Sequence, residues 1–226
     1  MMTAVTGPAS NTSNGARRSS NSPRARSRMT SAERREQLIE IARRLFAERG
    51  YDGASVEEIA ARSEVSKPVV YEHFGGKEGL YAVVVDREVR KLLDMMRAAL
   101  TAGRPRELLE QATCALLDYI EQSSDGFRIL VRDSPLGSAS GSFVSIISDV
   151  ATRVEHILAA EFRARGFDAK AAPMYAQMLV GMVGTTGQWW LDARKPSKDV
   201  VASHLVNLAW NGLSGIETKP TLRTKP

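Results

Sequence analysis

The 226-residue chain has one cysteine, Cys114, which excludes an internal disulfide framework and any cysteine-rich zinc or iron–sulfur site. No apolar run approaches the ~18 residues a membrane-spanning helix needs. The N-terminus is rich in Ser, Asn and Arg without an apolar stretch, so it does not read as a secretory signal. These absences predict a soluble, cytoplasmic protein with no membrane partner. Enzyme signatures are also missing: there is no P-loop, GxGxxG or GxSxG run. The histidines, His73, His156 and His204, are widely separated, and no helical His–carboxylate pair has metal-ligand spacing. Glu155 and His156 are adjacent, so on a helix they face different directions. Cys114 lies among Ala112, Ala115, Leu116 and Leu117 and reads as a buried small hydrophobe rather than a nucleophile. No catalytic residue, metal or cofactor is expected, and an enzyme is the weakest reading.

Acidic residues are absent from positions 1–32, which carry Arg17, Arg18, Arg24, Arg26 and Arg28. From Glu33 onward basic and acidic residues balance at 26 each, so the net charge of +5 belongs to this arm. A second small basic excess, Lys219, Arg223 and Lys225, closes the chain. An arm of one sign suits a polyanion, either nucleic acid or an anionic membrane surface, or it is a solvated tail. With Ser, Asn, Gly and Pro between its arginines, it buries little and should be disordered when free.

From Thr30 the pattern becomes helical. Leu38, Ile41, Ala42, Leu45 and Phe46 form one stripe that ends at Gly50. Two short amphipathic stretches follow, 56–63 and 67–74, the first opened by Ser55 with Glu58 three residues on, the signature of a capping box. Pro68 falls in the first turn of the second, where its missing N–H costs little. Helical stripes then run from Lys77 to about Ala102, over 105–122, 127–131, 143–165, 173–194 and 197–214. No β alternation bounded by hairpin turns occurs. An all-α fold of about nine helices is expected. Its parts are an arm (1–28), a three-helix domain carrying the two short stretches (29–76), a longer helical domain (77–216) and a basic tail (217–226).

The two short stretches match a helix-turn-helix, which requires brief helices at a steep angle, a small residue at their closest approach and apolar anchors behind. Ala60 is the small residue, and Ile59, Val65 and Val70 are the anchors. The second helix would then expose Lys67, Val69, Tyr71, Glu72 and His73, its N-terminal residues reaching base edges in the major groove. Ser55 and Ser66 would cap the two helices, whose N-termini offer N–H groups to phosphate. An αα-corner without DNA contact fits the same pattern.

The run Ser55-Val-Glu-Glu-Ile-Ala-Ala-Arg, then Val65-Ser-Lys-Pro-Val-Val-Tyr-Glu-His-Phe-Gly-Gly-Lys-Glu-Gly-Leu80, resembles the DNA-binding domain of TetR-family transcriptional regulators. The preceding stretch from Gln37 to Tyr51 resembles that family's first helix. The likeness covers about residues 34–82, and the remainder agrees only in length and helix count. One departure is Glu64 in the turn, where the family usually has Gly; a positive φ there would cost Glu ~1 kcal/mol. The resemblance implies that Lys67, Pro68, Val69, Tyr71 and His73 occupy recognition-helix positions, that Lys77 contacts phosphate and that Ser55 meets the DNA backbone. These side chains have the right chemistry, since Lys bonds guanine edges, Val meets a thymine methyl, and Tyr reaches phosphate or base. His73 has an equal alternative as a ring packed beside Phe74. Arg28 and the rest of the arm would follow phosphates or the minor groove.

Gly181, Gly184 and Gly187 stand three apart in a helical segment and would cost ~2–3 kcal/mol in a solvated helix. They suit close helix–helix approach across a two-fold interface with Val201, Leu205 and Leu208 of the last helix, as the resemblance also implies, or an intrachain contact. Met95, Tyr119, Phe127, Met178, Met182 and Trp189 are candidates to line a pocket for an apolar, lipid-like or acyl-CoA-like effector, or are ordinary core. The expected function is a ligand-responsive regulator, most simply a repressor, that binds a palindromic double-stranded DNA operator as a homodimer. An activator of the same architecture and a DNA-architectural protein using the arm alone are the alternatives.

Overall fold

In a computed structural model, the described residues are 29–101, 103–131 and 143–222, with side chains of 143–147 left aside. The arm, Arg28 included, and the Gly/Ser stretch at 137–142 lie outside them. The described residues form α1 (Ser31–Gly53), α2 (Val56–Arg62), α3 (Lys67–Phe74), α4 (Lys77–Ala99), α5 (Pro105–Gln122), α6 (Ser124–Val131), α7 (Phe143–Arg165), α8 (Ala172–Ala193) and α9 (Lys198–Ser214). A 3₁₀ turn, Ala169–Ala171, leads into α8, and no strand is present among these residues. The expected all-α fold and its nine helices are therefore found.

α1 begins with a capping box: the Thr30 hydroxyl accepts from the Glu33 N–H (3.2 Å) and the Glu33 carboxylate accepts from the Thr30 N–H (2.8 Å). Regular helix stops at Gly50 (φ 75°, ψ 177°), where the sequence pattern puts its end, and one further turn reaches Gly53. α6 starts three residues before the expected Phe127 and includes Gly126, which packing requires. A Cβ on Gly126 would lie 1.9 Å from the Glu88 carboxylate and 2.8 Å from the Tyr119 hydroxyl. Only glycine allows α6 to close on α4 and α5 there.

Three apolar clusters organise the chain. The first joins α1 (Leu38, Ala42, Leu45, Phe46), α2 (Ile59, Ala60) and α3 (Val70) to the start of α4 (Leu80, Tyr81, Val84) and to Ile129 of α6. Phe46 packs edge-on against Tyr81 with centroids 4.9 Å apart. The second joins Leu92 of α4, Leu117, Tyr119 and Ile120 of α5, Phe127 and Leu130 of α6, Trp190 and Leu191 of α8, and Val201 and Leu205 of α9. The third pins α7 (Leu158, Phe162) to the start of α8 (Ala172, Ala176). Thus α4 and α6 each contribute to both the first and second cores.

Between those two cores lies a buried polar cluster that sequence reading missed. Glu88 accepts from Arg43 Nε (2.6 Å), Tyr119 Oη (2.7 Å) and Ser123 Oγ (3.1 Å). Arg43 Nη2 and Lys91 Nζ both donate to Ser123 Oγ, at 2.9 and 3.1 Å. Partners 45 and 80 positions from Arg43 are brought together by packing of α1 on α4 and α6. Burial, and next the Glu88 charge, push the Tyr119 phenol far above its ordinary value.

Candidate nucleic-acid interface

α2 and α3 form the expected helix-turn-helix. Ile59, Ala60 and Val70 are buried, and Val65 packs half-buried against them from the turn. The turn is closed by the Val65 N–H donating to Ala60 O (3.0 Å) and the Glu64 N–H donating to Ala61 O (3.1 Å). Glu64 takes the left-handed conformation, φ 54°, so the departure at this position carries the expected strain of ~1 kcal/mol. Ser63 is buried in the same corner and donates its hydroxyl to Ile59 O (2.6 Å).

Ser55 caps α2 by accepting from the Glu58 N–H (3.2 Å), but the reciprocal half of the expected capping box is not made. The Glu58 carboxylate instead accepts from Arg49 Nη1 (2.7 Å) and Arg62 Nη2 (2.9 Å), tying α2 to α1. Ser66 stands at the N-cap of α3 in extended geometry but makes no side-chain cap, contrary to expectation. With Pro68 in the first turn and no hydroxyl turned onto it, that turn's amide edge is left open to an anion.

The exposed edge of α3 carries Ser66, Lys67, Pro68, Tyr71 and Glu72. Tyr71 is 55% exposed, while Val70, one residue earlier, is fully buried. Val69 and His73, both expected on that edge, are half-buried: Val69 packs toward the first core, and the His73 ring lies 6.0 Å from that of Phe74. The helical period turns both positions away from the Lys67–Tyr71 edge. Lys67 Nζ donates to the Glu57 carboxylate of α2. Lys77, at the first position of α4, is held 4.3 Å above the Tyr51 ring and 3.5 Å from Asp52 O. A cation over an aromatic face is positioned without an acidic partner, which holds Lys77 beside the motif.

In the second half of the chain the candidates separate. Tyr119 and Phe127 are fully buried, their rings edge-on at 6.3 Å, and Met95 and Met182 pack half-buried against the same core. Met178 and Trp189 do not join them; they are 56% and 55% exposed on the outside of α8. Gly187 is buried, and a Cβ there would meet Ile120 Cδ1 at 2.9 Å, Leu116 Cδ2 at 3.5 Å and Phe127 Cζ at 3.9 Å. This corrects its expected place between two chains: Gly187 lets α8 approach α5 and α6 of its own chain. Gly184 is buried as well, whereas Gly181 has nothing within 4 Å of its would-be Cβ. Val201 and Leu205 belong to the chain's own second core and form the floor of a shallow cleft of about 230 Å³. Trp189, Thr186, Pro196, His204 and Leu208 line the rest of it. Cys114 is half-buried, and burial pushes its thiol above the usual range.

A buried-anchor helix-turn-helix on the front of a larger helical domain defines a DNA-binding regulator of two functional parts. The profile for "Bacterial regulatory proteins, tetR family" matches residues 38–84, and that for "Tetracyclin repressor-like, C-terminal domain" matches residues 105–212. A protein named HTH-type transcriptional activator FasR, from Mycolicibacterium smegmatis, is 34% identical over 205 residues, covering 89% of this chain and 93% of its own. HTH-type transcriptional repressor Rv3405c of Mycobacterium tuberculosis is 36% identical over 75 residues, 33% of this chain and 38% of its own. A TetR-like transcriptional regulator from Rhodococcus sp. RHA1 superimposes with a TM-score of 0.67 at 26% identity, covering 84% of this chain and all of that one. The chain belongs to the TetR family of transcriptional regulators.

Proposed function

We propose that the chain acts in the cytoplasm, binding a two-fold operator in double-stranded DNA as a homodimer, and that an apolar small molecule changes its grip. The observation that carries this reading is the division of α3 into a face anchored by Val70 and an exposed edge of Lys67, Pro68 and Tyr71. An anchored helix with a basic and aromatic edge suits the major groove. Ser55, Ser66 and Lys77 flank it and suit phosphate, while Val69 and His73 support the helix from behind. Arg28 and the other arm arginines would extend the contact along the backbone.

The α8–α9 surface supports the dimer. Trp189 and Leu208 expose large apolar area beside the cleft floored by Val201 and Leu205, and Gly181 leaves room for a partner helix. Apolar area of this kind on a folded chain is removed from water by association. A two-fold pair would set its α3 helices about 34–36 Å apart, one turn of DNA. Met95 and Met182, adaptable side chains at the edge of the core around Tyr119 and Phe127, support entry of a lipid-like or acyl-CoA-like effector there. Occupying a promoter needs nothing beyond this surface, so repression is the reading kept; activation, the role in the name of FasR, is the second reading.

Selection from random-sequence DNA with the purified full chain should return a palindrome, and a reporter behind it gives the sign of regulation. Lys67→Gln with Tyr71→Ala should then weaken binding to the selected duplex ~10- to 100-fold while circular dichroism stays unchanged. Undiminished selective binding would overturn the reading. Addition of acyl-CoAs or fatty acids should shift that affinity; no response to any apolar class overturns the effector assignment.

A further inference from the structure

The one lysine of α3 is bound to an acid of α2. Lys67 Nζ donates to the Glu57 carboxylate, and the two side chains are 52% and 59% exposed. Neither helix needs this pair for its place. The motif is closed by Ile59, Ala60, Val65 and Val70 and by the backbone bond from Val65 to Ala60, and α2 is tied to α1 through Glu58, Arg49 and Arg62. The Lys67 bond, first among several causes, holds the Glu57 carboxyl below the usual carboxylate range. An acid at the rim of a DNA-reading surface opposes binding wherever DNA approaches.

We propose that Glu57 competes with DNA for Lys67, keeping it paired on arbitrary sequence and releasing it, at the cost of the pair, only where the major groove offers a better pair of acceptors. The proposal rests on α3 being the DNA-reading helix. Phosphate is the same on every sequence, so a free Lys67 would strengthen all binding alike. A guanine edge presents two acceptors, O6 and N7, side by side, and can outbid one exposed carboxylate. On DNA of arbitrary sequence the Glu57–Lys67 pair stays closed and contributes no counterion release. Glu57 acts through Lys67 and is a positioning residue rather than a base reader.

The test is Glu57→Gln in the full chain, measured by fluorescence anisotropy against two duplexes of equal length, one recovered by selection and one of scrambled sequence. Affinity for the scrambled duplex should rise by less than the worth of one exposed ion pair, ~1.5- to fivefold. Its log–log salt slope should steepen by about 0.9 for one more phosphate neutralised. Affinity for the selected duplex should rise more, by the full worth of the pair that must otherwise be broken there, so the ratio of the two rises. In a Lys67→Gln background, Glu57→Gln should alter neither the ratio nor the slope. An equal rise on both duplexes, no rise on either, or the same rise in the Lys67→Gln background would overturn the proposal, the last by showing simple loss of a repelling charge. Should Lys67→Gln alone leave selective binding intact, the α3 reading itself fails; should it abolish selectivity while Glu57→Gln changes nothing, only this proposal fails.

Discussion

Glu88 offers the sharpest test of how the two parts of the chain are joined. Its carboxylate is almost wholly buried and accepts from Arg43, Tyr119 and Ser123. Glu88→Ala leaves the Arg43 guanidinium, whose side chain is 18% exposed, with its bond to Ser123 Oγ (2.9 Å) and two acids, Glu40 at 3.7 Å and Asp125 at 3.8 Å, both near half exposed. Removing one member of a buried pair costs ~3–5 kcal/mol because the other charge stays desolvated; those two residual acids place this case at the lower end, about 3 kcal/mol. For a chain of this size that is a fall of ~6–12 °C in Tm. Glu88→Gln keeps the shape and should cost ~1–3 kcal/mol. Replacing both partners, Arg43→Met with Glu88→Leu, should recover much of the loss, since a matched apolar pair leaves no orphaned charge. Urea and thermal denaturation followed by circular dichroism measure all three variants. A loss below ~1 kcal/mol for Glu88→Ala, or a double variant worse than the sum of its parts, would refute the account.

Other variants test separate steps. Leu208→Asp, at a position 64% exposed, should leave helicity and Tm of the isolated chain nearly unchanged yet move the sedimentation coefficient to that of a monomer and weaken operator binding; an intact dimer would remove the α8–α9 surface from consideration. Glu64→Gly relieves a left-handed residue (φ 54°) and should raise stability by ~0.5–1 kcal/mol in urea titration, with a loss counting against the strain. Stability should also fall as pH rises above the ordinary tyrosine value of 10.0, because Tyr119 keeps its proton when folded and loses it when unfolded. The unfolded state then binds fewer protons than the native one, which makes the slope of stability with pH negative, and Tyr119→Phe should flatten that slope.

Local signals made most of the helices readable. Gly50, the Lys195-Pro196 step and the capping residues are neighbours in sequence of the ends they set, so the spans of α2, α3 and α5 follow from a few residues each. The helix-turn-helix was legible for the same reason, as its small residue and its anchors all fall between Ile59 and Val70. Long-range polar partners were not. Nothing within a few residues of Glu88 indicates that Arg43 and Ser123 will meet it, and nothing near Gly126 indicates that a carboxylate will fill the space of its missing Cβ. The glycines of α8 show the same boundary: their period of three announced a close approach, but only the packed chain shows that Gly187 approaches Ile120. Likewise Lys67 and Tyr71 were found by type and spacing, while Glu57, ten positions from Lys67, required the angle between two helices.

The sharing of helices between cores constrains how an effector can act. α4 places Leu80, Tyr81 and Val84 behind the helix-turn-helix and Leu92 in the second core; α6 places Ile129 in the first and Phe127 and Leu130 in the second. Cores packed to native density do not absorb a shift silently. On the reading that an effector enters among Met95, Met182 and Phe127, it would displace α4, α6 or both, and the first core would shift with them because it shares both helices. The Glu88 cluster sits where the two cores meet and joins α1, α4 and α5 directly, so such a displacement would pass across it. Linkage then requires that operator DNA weaken or strengthen effector binding by the same factor that effector changes DNA binding. Glu88→Gln, by loosening that joint, should bring that shared factor toward one; an unchanged factor would show that the two cores communicate by another route.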